Sequence, residues 1–188
     1  MLERHGCRLH AHPLFLDQLE RLLAAVERAK RADLEGWRGK ADARLLAALR
    51  ALVLERVPRD PLAPEFRQGN TLGPSRRHWF RAKFGGNRFR LFFRADSRAR
   101  VVVYAWVNDR DTLHKAGATT DPYAVFAGML AGGNPPDDWP ALLEADLVAR
   151  PAKAVRPLPE ALAGRLEALG TEAGEVDPDA PIEGEVSL

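Results

Sequence analysis

The sequence has a single cysteine, Cys7, among its 188 residues. One thiol cannot form an intrachain disulfide, and it cannot supply the several thiolates of a cysteine-rich zinc site. The sequence therefore excludes the small scaffolds that depend on disulfides or on such zinc sites. A chain of this length can bury a hydrophobic core without either device.

Long hydrophobic runs are also missing. No stretch approaches the roughly 20 apolar residues that span a bilayer as a helix. The first residues, MLERHGCRLHAHP, contain no apolar segment typical of a secretory signal peptide. Hydrophobic residues make up 46% of the chain and charged residues 29%, as in ordinary globular proteins. We therefore expect a cytoplasmic protein with no membrane partner.

Acidic residues are scarce in the middle of the chain and dominate its end. The central basic residues are Arg76, Arg77, Arg81, Lys83, Arg88, Arg90, Arg94, Arg98, Arg100 and Arg110, opposed only by Asp96 and Asp109. From Glu160 onward, Arg165 is the sole basic residue among many acidic ones. A basic middle suggests an anionic ligand there, and the alternative is a solvated basic surface.

Helical periodicity, strand alternation and breaker residues predict an α+β domain over residues 1–150 and an acidic, flexible extension over 151–188. The predicted strands are Arg8–His12, Trp79–Phe84, Asn87–Ala95 and Arg100–Asn108. The predicted helices are Leu14–Ala32, Gly39–Arg56, Pro122–Leu130, Trp139–Ala149 and, within the extension, a weak one at Glu160–Leu169. Pro58 is expected to end the second helix.

The central strands bring basic residues onto one face. Alternation puts Arg81 and Lys83 on one side of the first central strand, and Arg88, Arg90 and Arg94 on one side of the next. If the two glycines between them form a two-residue turn, Lys83 pairs with Arg88 and Arg81 with Arg90. Like charges directly opposite destabilise a sheet, by roughly 0.2–1 kcal/mol. An anion between the strands would relieve that repulsion, so the pattern favours an anion site.

The last central strand divides into an apolar set and a mixed set. The apolar set, suited to the core, is Val101, Val103, Ala105 and Val107. The mixed set is Val102, Tyr104, Trp106 and Asn108, which we place on the arginine face. There Tyr104 and Trp106 can stack on bases, at about 1–3 kcal/mol per base. A four-residue turn at Asp96–Ala99 would reverse this assignment, whereas a five-residue turn would keep it. For Trp106 a partly buried core position is the alternative.

Basic side chains flanked by aromatic ones are typical of nucleic-acid binding. RNA cleavage further requires deprotonation of the 2′-OH, stabilisation of the phosphorane charge and protonation of the leaving oxygen. Arginines that clamp phosphate stabilise the charge. Lys83 is a candidate for proton transfer, as are His78 and His114, whose alternative is an ordinary surface position. The sequence shows no metal-ligand pattern and no Gly-rich phosphate loop, which predicts a mechanism without metal or cofactor.

Several short motifs stand in order between His10 and Trp139. They are HAHP at 10–13, FRQG at 66–69, WFRAKFG at 79–85, RFRLFFR at 88–94, WVND at 106–109, TDPY at 120–123 and NPPDDW at 134–139. In this order they resemble the YhaV family of type II toxin–antitoxin ribonucleases, relatives of the RelE group. The acidic extension beyond about Pro151 departs from that compact pattern.

The resemblance implies a RelE-like α+β fold, with an N-terminal strand and helical hairpin, an antiparallel sheet and C-terminal helices. It implies an endoribonuclease toxin that cleaves mRNA, on or off the ribosome, and so inhibits translation and growth. It also implies a cognate antitoxin of the PrlF type, whose N-terminal part is AbrB-like. The alternatives are a non-catalytic RNA- or DNA-binding module of the same fold and, more weakly, a protein that binds an acidic peptide.

Motif by motif, the resemblance points to the basic sheet residues and to Asn108 and Asp109 at the end of the last strand. The candidate catalytic residues are Lys83, Arg88, Arg90, Arg94 and Asp109. The candidate RNA-binding residues are Arg76, Arg77, His78, Arg81, Tyr104, Trp106 and Asn108. No residue is assigned to a metal.

We expect RNA cleavage to proceed without a divalent metal, because arginines can supply the charge stabilisation. The test adds excess EDTA to a ribosome-free cleavage assay, since ribosomes themselves need magnesium. Undiminished cleavage is the expected result. Complete loss of cleavage that magnesium restores would contradict it.

Overall fold

The computed structural model describes residues 1–112, 119–143 and 155–188. Two predictions fall outside these ranges: the proton-transfer role of His114, and the part of the predicted helix that follows Leu143. The described residues form an α+β fold around a six-stranded sheet.

The strands, in chain order, are β1 (Glu3–Arg4), β2 (Cys7–Ala11), β3 (Phe80–Phe84), β4 (Phe89–Asp96), β5 (Val101–Val107) and β6 (Arg156–Pro157). The helices are α1 (Pro13–Ala32), α2 (Ala41–Ala51), α3 (Val57–Arg59), α4 (Pro122–Ala131), α5 (Trp139–Leu143) and α6 (Glu160–Ala173). A π-helical turn, Leu52–Arg56, joins α2 to α3. Among the described helices, none combines the length and apolarity needed to cross a bilayer.

The predicted N-terminal strand and helical hairpin are confirmed. α1 begins directly after β2, with Pro13 in its first turn, and the Nδ1 atom of His12 accepts a hydrogen bond from the Leu14 N–H at 3.2 Å. Both features are typical of a helix start. The second helix does not end before Pro58 as predicted: its helical backbone continues through the π-helical turn and ends at Arg59, one residue after the proline. Pro58 has no N–H to donate, and the Val53 carbonyl five residues before it accepts from the Tyr104 hydroxyl instead.

The sheet is mixed, which corrects the predicted antiparallel sheet. Its strand order is β1-β2-β5-β4-β3, and β6 pairs with β2 beside β1. β3, β4 and β5 form the predicted antiparallel meander, but β2 runs parallel to β5. The helical hairpin and the loop after it separate β2 from the meander, and parallel pairing needs a long connection of this kind.

Both faces of the sheet are covered. The helical hairpin and α6 pack on one face and form the main core with Leu9, Leu91, Phe93 and their neighbours. A second cluster joins the opposite face to α4 and α5 through Trp79, Phe92, Val103, Trp106, Phe126, Leu130 and Leu142. The arginine face predicted from alternation is therefore partly a packed layer.

The C-terminal segment, expected to be a flexible extension, contributes to the main core. α6 runs from Glu160 to Ala173, further than the predicted weak helix, and packs on α2 and α1. Within α6 the buried leucines are Leu162, Leu166 and Leu169, and the chain before and after α6 buries Leu158, Ile182 and Val186. The helical spacing of the three α6 leucines, rather than the acidic composition, accounts for the packing of α6.

We expect Leu166→Ala to destabilise the protein by about 2–5 kcal/mol, because it leaves a cavity where a fully buried side chain packed. Urea unfolding followed by circular dichroism measures the change. Leu34→Ala is the control, since Leu34 is 70% exposed and its truncation should cost little. Equal stabilities of the two variants would mean that α6 does not belong to the folded core.

Candidate active site

The turn between β3 and β4 determines which basic residues meet. Phe84 lies opposite Phe89 and Lys83 opposite Arg90, so the turn comprises Gly85–Arg88. The predicted two-residue turn, with its pairing of Lys83 and Arg88, is therefore wrong. Three consecutive turn residues have positive φ (63°, 66° and 68°), a backbone that the two glycines and Asn87 adopt at low cost.

The predicted faces of β3 and β4 nevertheless hold. The register differs from the predicted one by an even number of residues, and side chains alternate with a period of two. Lys83 pairs with Arg90 and Arg81 with Phe92, while Phe80, Phe84, Phe89 and Phe93 lie in the main core. Arg88, expected in the strand, lies in the turn.

The register of β5 corrects the position of Tyr104. Asp96 pairs with Val101 and Phe93 with Tyr104, so the four-residue turn is Ser97–Arg100 rather than Asp96–Ala99. This register differs by an even number of residues from the reversed alternative and gives Tyr104 the same face. Tyr104 consequently lies in the main core, where it is fully buried and its hydroxyl donates to the Val53 carbonyl at 2.7 Å. Its ring is not on the arginine face and is inaccessible to a base.

A β-bulge returns Trp106 to the predicted face. The register shifts between Phe92 and Phe93, so that Trp106 pairs with Phe92 while Val107 turns to the main core. Trp106 is only 6% exposed and stacks on Phe92 and Phe126, with ring centroids 5.8 and 5.9 Å away. It occupies the core position that was the alternative to base stacking.

Two arginines converge on one tyrosine. The Nε atom of Arg81 donates to the Tyr123 hydroxyl at 2.9 Å, and the Nε atom of Arg90 donates to the same oxygen at 3.1 Å. Arg81 is 9% and Arg90 1% exposed, whereas Tyr123 is half-buried. We call these three residues the arginine–tyrosine cluster.

Main-chain carbonyls also accept hydrogen bonds from both guanidiniums. Arg81 Nη1 donates to the Glu65 carbonyl at 2.8 Å. Arg90 Nη1 donates to the carbonyls of Asn87 and Phe89 at 2.7 and 3.0 Å, and its Nη2 donates to Asn87 Oδ1 at 2.9 Å. The orientation of each guanidinium is therefore fixed by the loops around it.

Among the described residues, no carboxylate compensates the positive charge of the cluster. Neither Arg81 nor Arg90 takes part in an ion pair there; the hydrogen bonds of both guanidiniums go to neutral oxygens. Burying a cation without a counter-ion is costly. Lys83 adds a third cation opposite Arg90, with an exposed side chain. An anion that reaches Tyr123 and Lys83 would supply the missing charge.

Asn108 lies beside the cluster, whereas Asp109 points elsewhere. The buried Asn108 side chain accepts from the Arg90 N–H and donates to the Arg88 carbonyl at 3.2 Å, which connects the end of β5 to the start of β4. Asp109 Oδ1 accepts from the Thr112 hydroxyl at 2.8 Å. Asp109 also lines a cavity of about 430 Å³ whose other charged residues are Asp17, Glu20 and Arg21.

A second group of predicted residues gathers around Asp137 at the other end of β3. The Asp137 carboxylate accepts from His78 at 2.8 Å, from Trp79 at 2.7 Å and from Arg76 at 3.3 Å. Burial acts to raise the pKa of Asp137, but the hydrogen bonds from His78, Trp79 and Arg76 outweigh it and hold that pKa below its ordinary value. Exposed Arg77 donates to Asn70 nearby.

Arg94 belongs to this second group and not to the arginine–tyrosine cluster. Its Nη1 atom donates to the Asp137 carbonyl, and its guanidinium lies over the rings of Trp79 and Trp139, 5.5 and 4.8 Å from their centroids. Arg94 is 8% exposed, and this burial lowers its pKa. These contacts fasten the loop before α5 to the sheet.

Sequence reasoning gave no role to Tyr123, Asn87 or Asp137. Tyr123 and Asp137 lie in the TDPY and NPPDDW motifs, so motif position was the signal that marked them. Asn87 has a local signal too, because asparagine after two glycines favours a left-handed turn. In the described residues, no group of three or more His, Cys, Asp or Glu side chains is arranged to hold a metal ion.

We expect Asp137→Asn to lower stability by about 1–2 kcal/mol at pH 7, because the hydrogen bonds to the carboxylate lose its charge. A carboxyl whose folded-state pKa is lowered stabilises the fold above its unfolded-state pKa, near 4. That stabilisation is lost as the pH falls through the folded-state pKa. Denaturant unfolding of both proteins between pH 7 and 2.5 should show the difference shrinking below about pH 4. A difference that stays constant with pH would contradict the assignment.

Comparison with known proteins places the chain in a family. Residues 9–146 match the sequence profile of the YhaV toxins, described as toxins with endonuclease activity of toxin–antitoxin systems. The chain is 40% identical over 141 residues to "Toxin YhaV" of Escherichia coli O6:H1 (strain CFT073), a match that covers 74% of this chain and 92% of the relative. It is 41% identical over 139 residues to "Ribonuclease toxin YhaV" of Escherichia coli K12, covering 73% of this chain and 90% of the relative.

No solved structure matches the chain significantly. The profile match extends from β2 to beyond α5 and so includes every residue of the arginine–tyrosine cluster. The chain therefore belongs to the YhaV family of toxins with endonuclease activity from toxin–antitoxin systems.

Proposed function

We propose that this protein is an endoribonuclease toxin that cleaves mRNA at the arginine–tyrosine cluster. The observation that carries the proposal is the pair of buried guanidiniums on one tyrosine oxygen, without a carboxylate partner in the described residues. The relative from Escherichia coli K12 is named a ribonuclease toxin, which supports RNA as the substrate.

The cluster suits phosphodiester cleavage because charge develops on the phosphate in the transition state. Donors that are already oriented, in a site of low dielectric, stabilise such charge without reorganising. Arg81 and Arg90 meet this requirement, since loop carbonyls and Tyr123 fix them in place. The phosphate would also supply the negative charge that the described residues do not place beside Arg81 and Arg90.

Lys83 is the proposed proton-transfer and phosphate-contacting group of this site. Residues directly opposite in neighbouring strands have Cβ atoms about 4.5–5.5 Å apart, so Lys83 lies next to Arg90. Its side chain is exposed and has room to adjust to the substrate, whereas hydrogen bonds hold the two buried arginines. Asn108 and Arg88 act by shaping the turn and the start of β4, and the turn carries the acceptors of Arg90.

Other predicted site residues have proposed roles further from the reaction. Arg76, Arg77 and His78 lie beyond the N-terminal end of β3, where exposed Arg77 and His78 can contact the RNA backbone. Arg94 acts through the fold by holding the loop before α5. Among the described residues Asp109 makes its side-chain hydrogen bonds to Asp111 and Thr112 and none to the cluster, so we place it outside the reacting groups.

The partners and the wider classification are proposed from the family resemblance. A toxin of this kind acts in the cytoplasm and is neutralised by a cognate antitoxin, which we propose to be of the PrlF type. The α+β architecture with its N-terminal helical hairpin is compatible with a RelE-like fold. Cleavage on the ribosome is proposed as one route to the inhibition of translation and growth.

We expect Arg90→Ala to lower cleavage by about 10²–10³-fold, the effect of losing one transition-state donor. Tyr123→Phe should lower it by roughly 10–100-fold, because the arginines lose their shared acceptor and a hydrogen bond to a charged group is worth about 1.5–3 kcal/mol. Cleavage of a labelled RNA by purified protein, with and without ribosomes, measures both effects.

Tyr104→Phe is the matched control. It removes one tyrosine hydroxyl from the other face of the sheet, so it should lower stability and leave cleavage near the wild-type rate. Circular dichroism establishes that each variant is folded. Wild-type cleavage by folded Arg90→Ala and Tyr123→Phe proteins would disprove the site. Salt-dependent RNA binding by a wild-type protein that never cleaves would favour the non-catalytic binding module.

A further inference from the structure

The C-terminal segment contacts the turn that holds Arg90. The Gly85 N–H donates to the Pro178 carbonyl at 2.8 Å and the Gly86 N–H to the Asp179 carbonyl at 3.1 Å. Arg88 Nη1 donates to the Ile182 carbonyl at 2.8 Å. We call residues 177–182 the C-terminal strap. It binds three of the four residues in the turn, and the fourth, Asn87, carries acceptors of Arg90.

The strap also contacts the elements that hold Arg81. Both carboxylate oxygens of Asp179 lie 3.2 Å from Arg56 Nη1, and Arg56 Nη2 donates to the Glu65 carboxylate at 2.8 Å. The main-chain carbonyl of Glu65 accepts from Arg81. The hydrogen bond that Arg56 donates to Glu65 and the charge of Asp179 raise the pKa of Arg56. A second chain of contacts thus runs from the strap to the same cluster.

The turn and the strap are packed directly against each other at Gly86. A Cβ atom on Gly86 would lie 2.8 Å from the Cα atom of Pro181, so the two backbones are in direct contact. Ile182 anchors the far end of the strap, because its side chain is buried in the main core. The turn therefore rests on a support that is itself fixed to the helices.

This support lies outside the part of the chain that the family defines. The family profile ends at residue 146. The match to the relative from strain CFT073 occupies 92% of that relative's length, which leaves no room there for a counterpart of residues 155–188. The strap therefore lies outside the region that this chain shares with the family profile.

We propose that the C-terminal strap positions Arg90 and Arg81 for cleavage. The proposal rests on the proposed function of the arginine–tyrosine cluster. The strap acts indirectly, by fixing the turn and the loop at Glu65. These two segments carry the carbonyl groups that accept hydrogen bonds from Arg81 and Arg90. Loss of the strap contacts should therefore slow the chemical step while RNA still binds, since misplacement of a catalytic group lowers the rate more than the affinity.

Two variants of the full chain test the proposal. Gly86→Ala brings a Cβ atom against Pro181 and should displace the strap. Its control is Gly69→Ala, because Gly69 has a similar φ of +62° but nothing within 4 Å of the added atom, so it reproduces the backbone strain alone. Asp179→Ala removes the link to Arg56 at an exposed position, and Asp179→Glu is its conservative control.

The readout is the separation of kcat from KM for RNA cleavage, together with Tm. We expect Gly86→Ala to lower kcat by about tenfold or more and Asp179→Ala by roughly threefold, with KM within about twofold of wild type. Gly69→Ala and Asp179→Glu should retain most of the wild-type kcat. A kcat for Gly86→Ala equal to that of Gly69→Ala would overturn the proposal, as would a raised KM at unchanged kcat.

Arg90→Ala, measured in the same assay, separates this proposal from the one on which it rests. If Arg90→Ala retains cleavage, the proposed site fails whatever the strap variants do. If Arg90→Ala loses cleavage while both strap variants keep the wild-type kcat, the site stands and the strap proposal fails.

Discussion

The burial of three arginines on one face of the sheet determines how the surrounding loops are arranged. Arg81, Arg90 and Arg94 are 9%, 1% and 8% exposed. A guanidinium has five N–H donors, and buried donors need acceptors. Each arginine takes a main-chain carbonyl from a different loop: Glu65, Asn87 and Asp137 respectively. Each arginine and the loop around it therefore hold each other in place.

Burial of these arginines also leaves the arginine–tyrosine cluster without a carboxylate partner among the described residues. Hydrogen bonds to neutral oxygens satisfy the donors of Arg81 and Arg90 but do not neutralise them. A carboxylate at this position would stabilise the free protein and compete with a phosphate. Arg94 differs, because the carboxylates of Asp137 and Asp138 act to raise its pKa against the effect of burial. Among the described residues Arg81 and Arg90 have no carboxylate partner, and Lys83 lies opposite Arg90.

Side-chain alternation was sufficient to predict which faces of β3 and β4 carry the arginines. The turn length was not predictable from the two glycines alone, because Asn87 extends the left-handed backbone by one residue and Arg88 closes the turn. An error of two residues in register leaves every side chain on its face, so the predicted faces of β3 and β4 are still correct.

The β-bulge in β5 had no local signal. One extra residue changes the face of everything that follows, which is why Trp106 was placed correctly while Tyr104 was not. The convergence on Tyr123 was equally hidden, since it joins a strand pair to a helix that follows much later in the chain. Motif position could mark Tyr123, but only the packing of α4 on the sheet brings its hydroxyl to the arginines.

In the acidic C-terminal segment, composition alone does not predict that the chain packs as a helix or where its charged side chains lie. Its leucines follow a helical spacing and pack against α1 and α2, so its acidic residues face outward. There they pair with cations of the N-terminal half: Glu160 with the N-terminal amine, Glu167 with Arg4 and Glu172 with Lys30. Such exposed pairs contribute only about 0–1 kcal/mol each. Their location matters more than their energy, because α6 packs on the face of the sheet opposite the arginine–tyrosine cluster. Three acidic residues of α6 are thus paired on the other side of the sheet, away from the two buried guanidiniums of the arginine–tyrosine cluster.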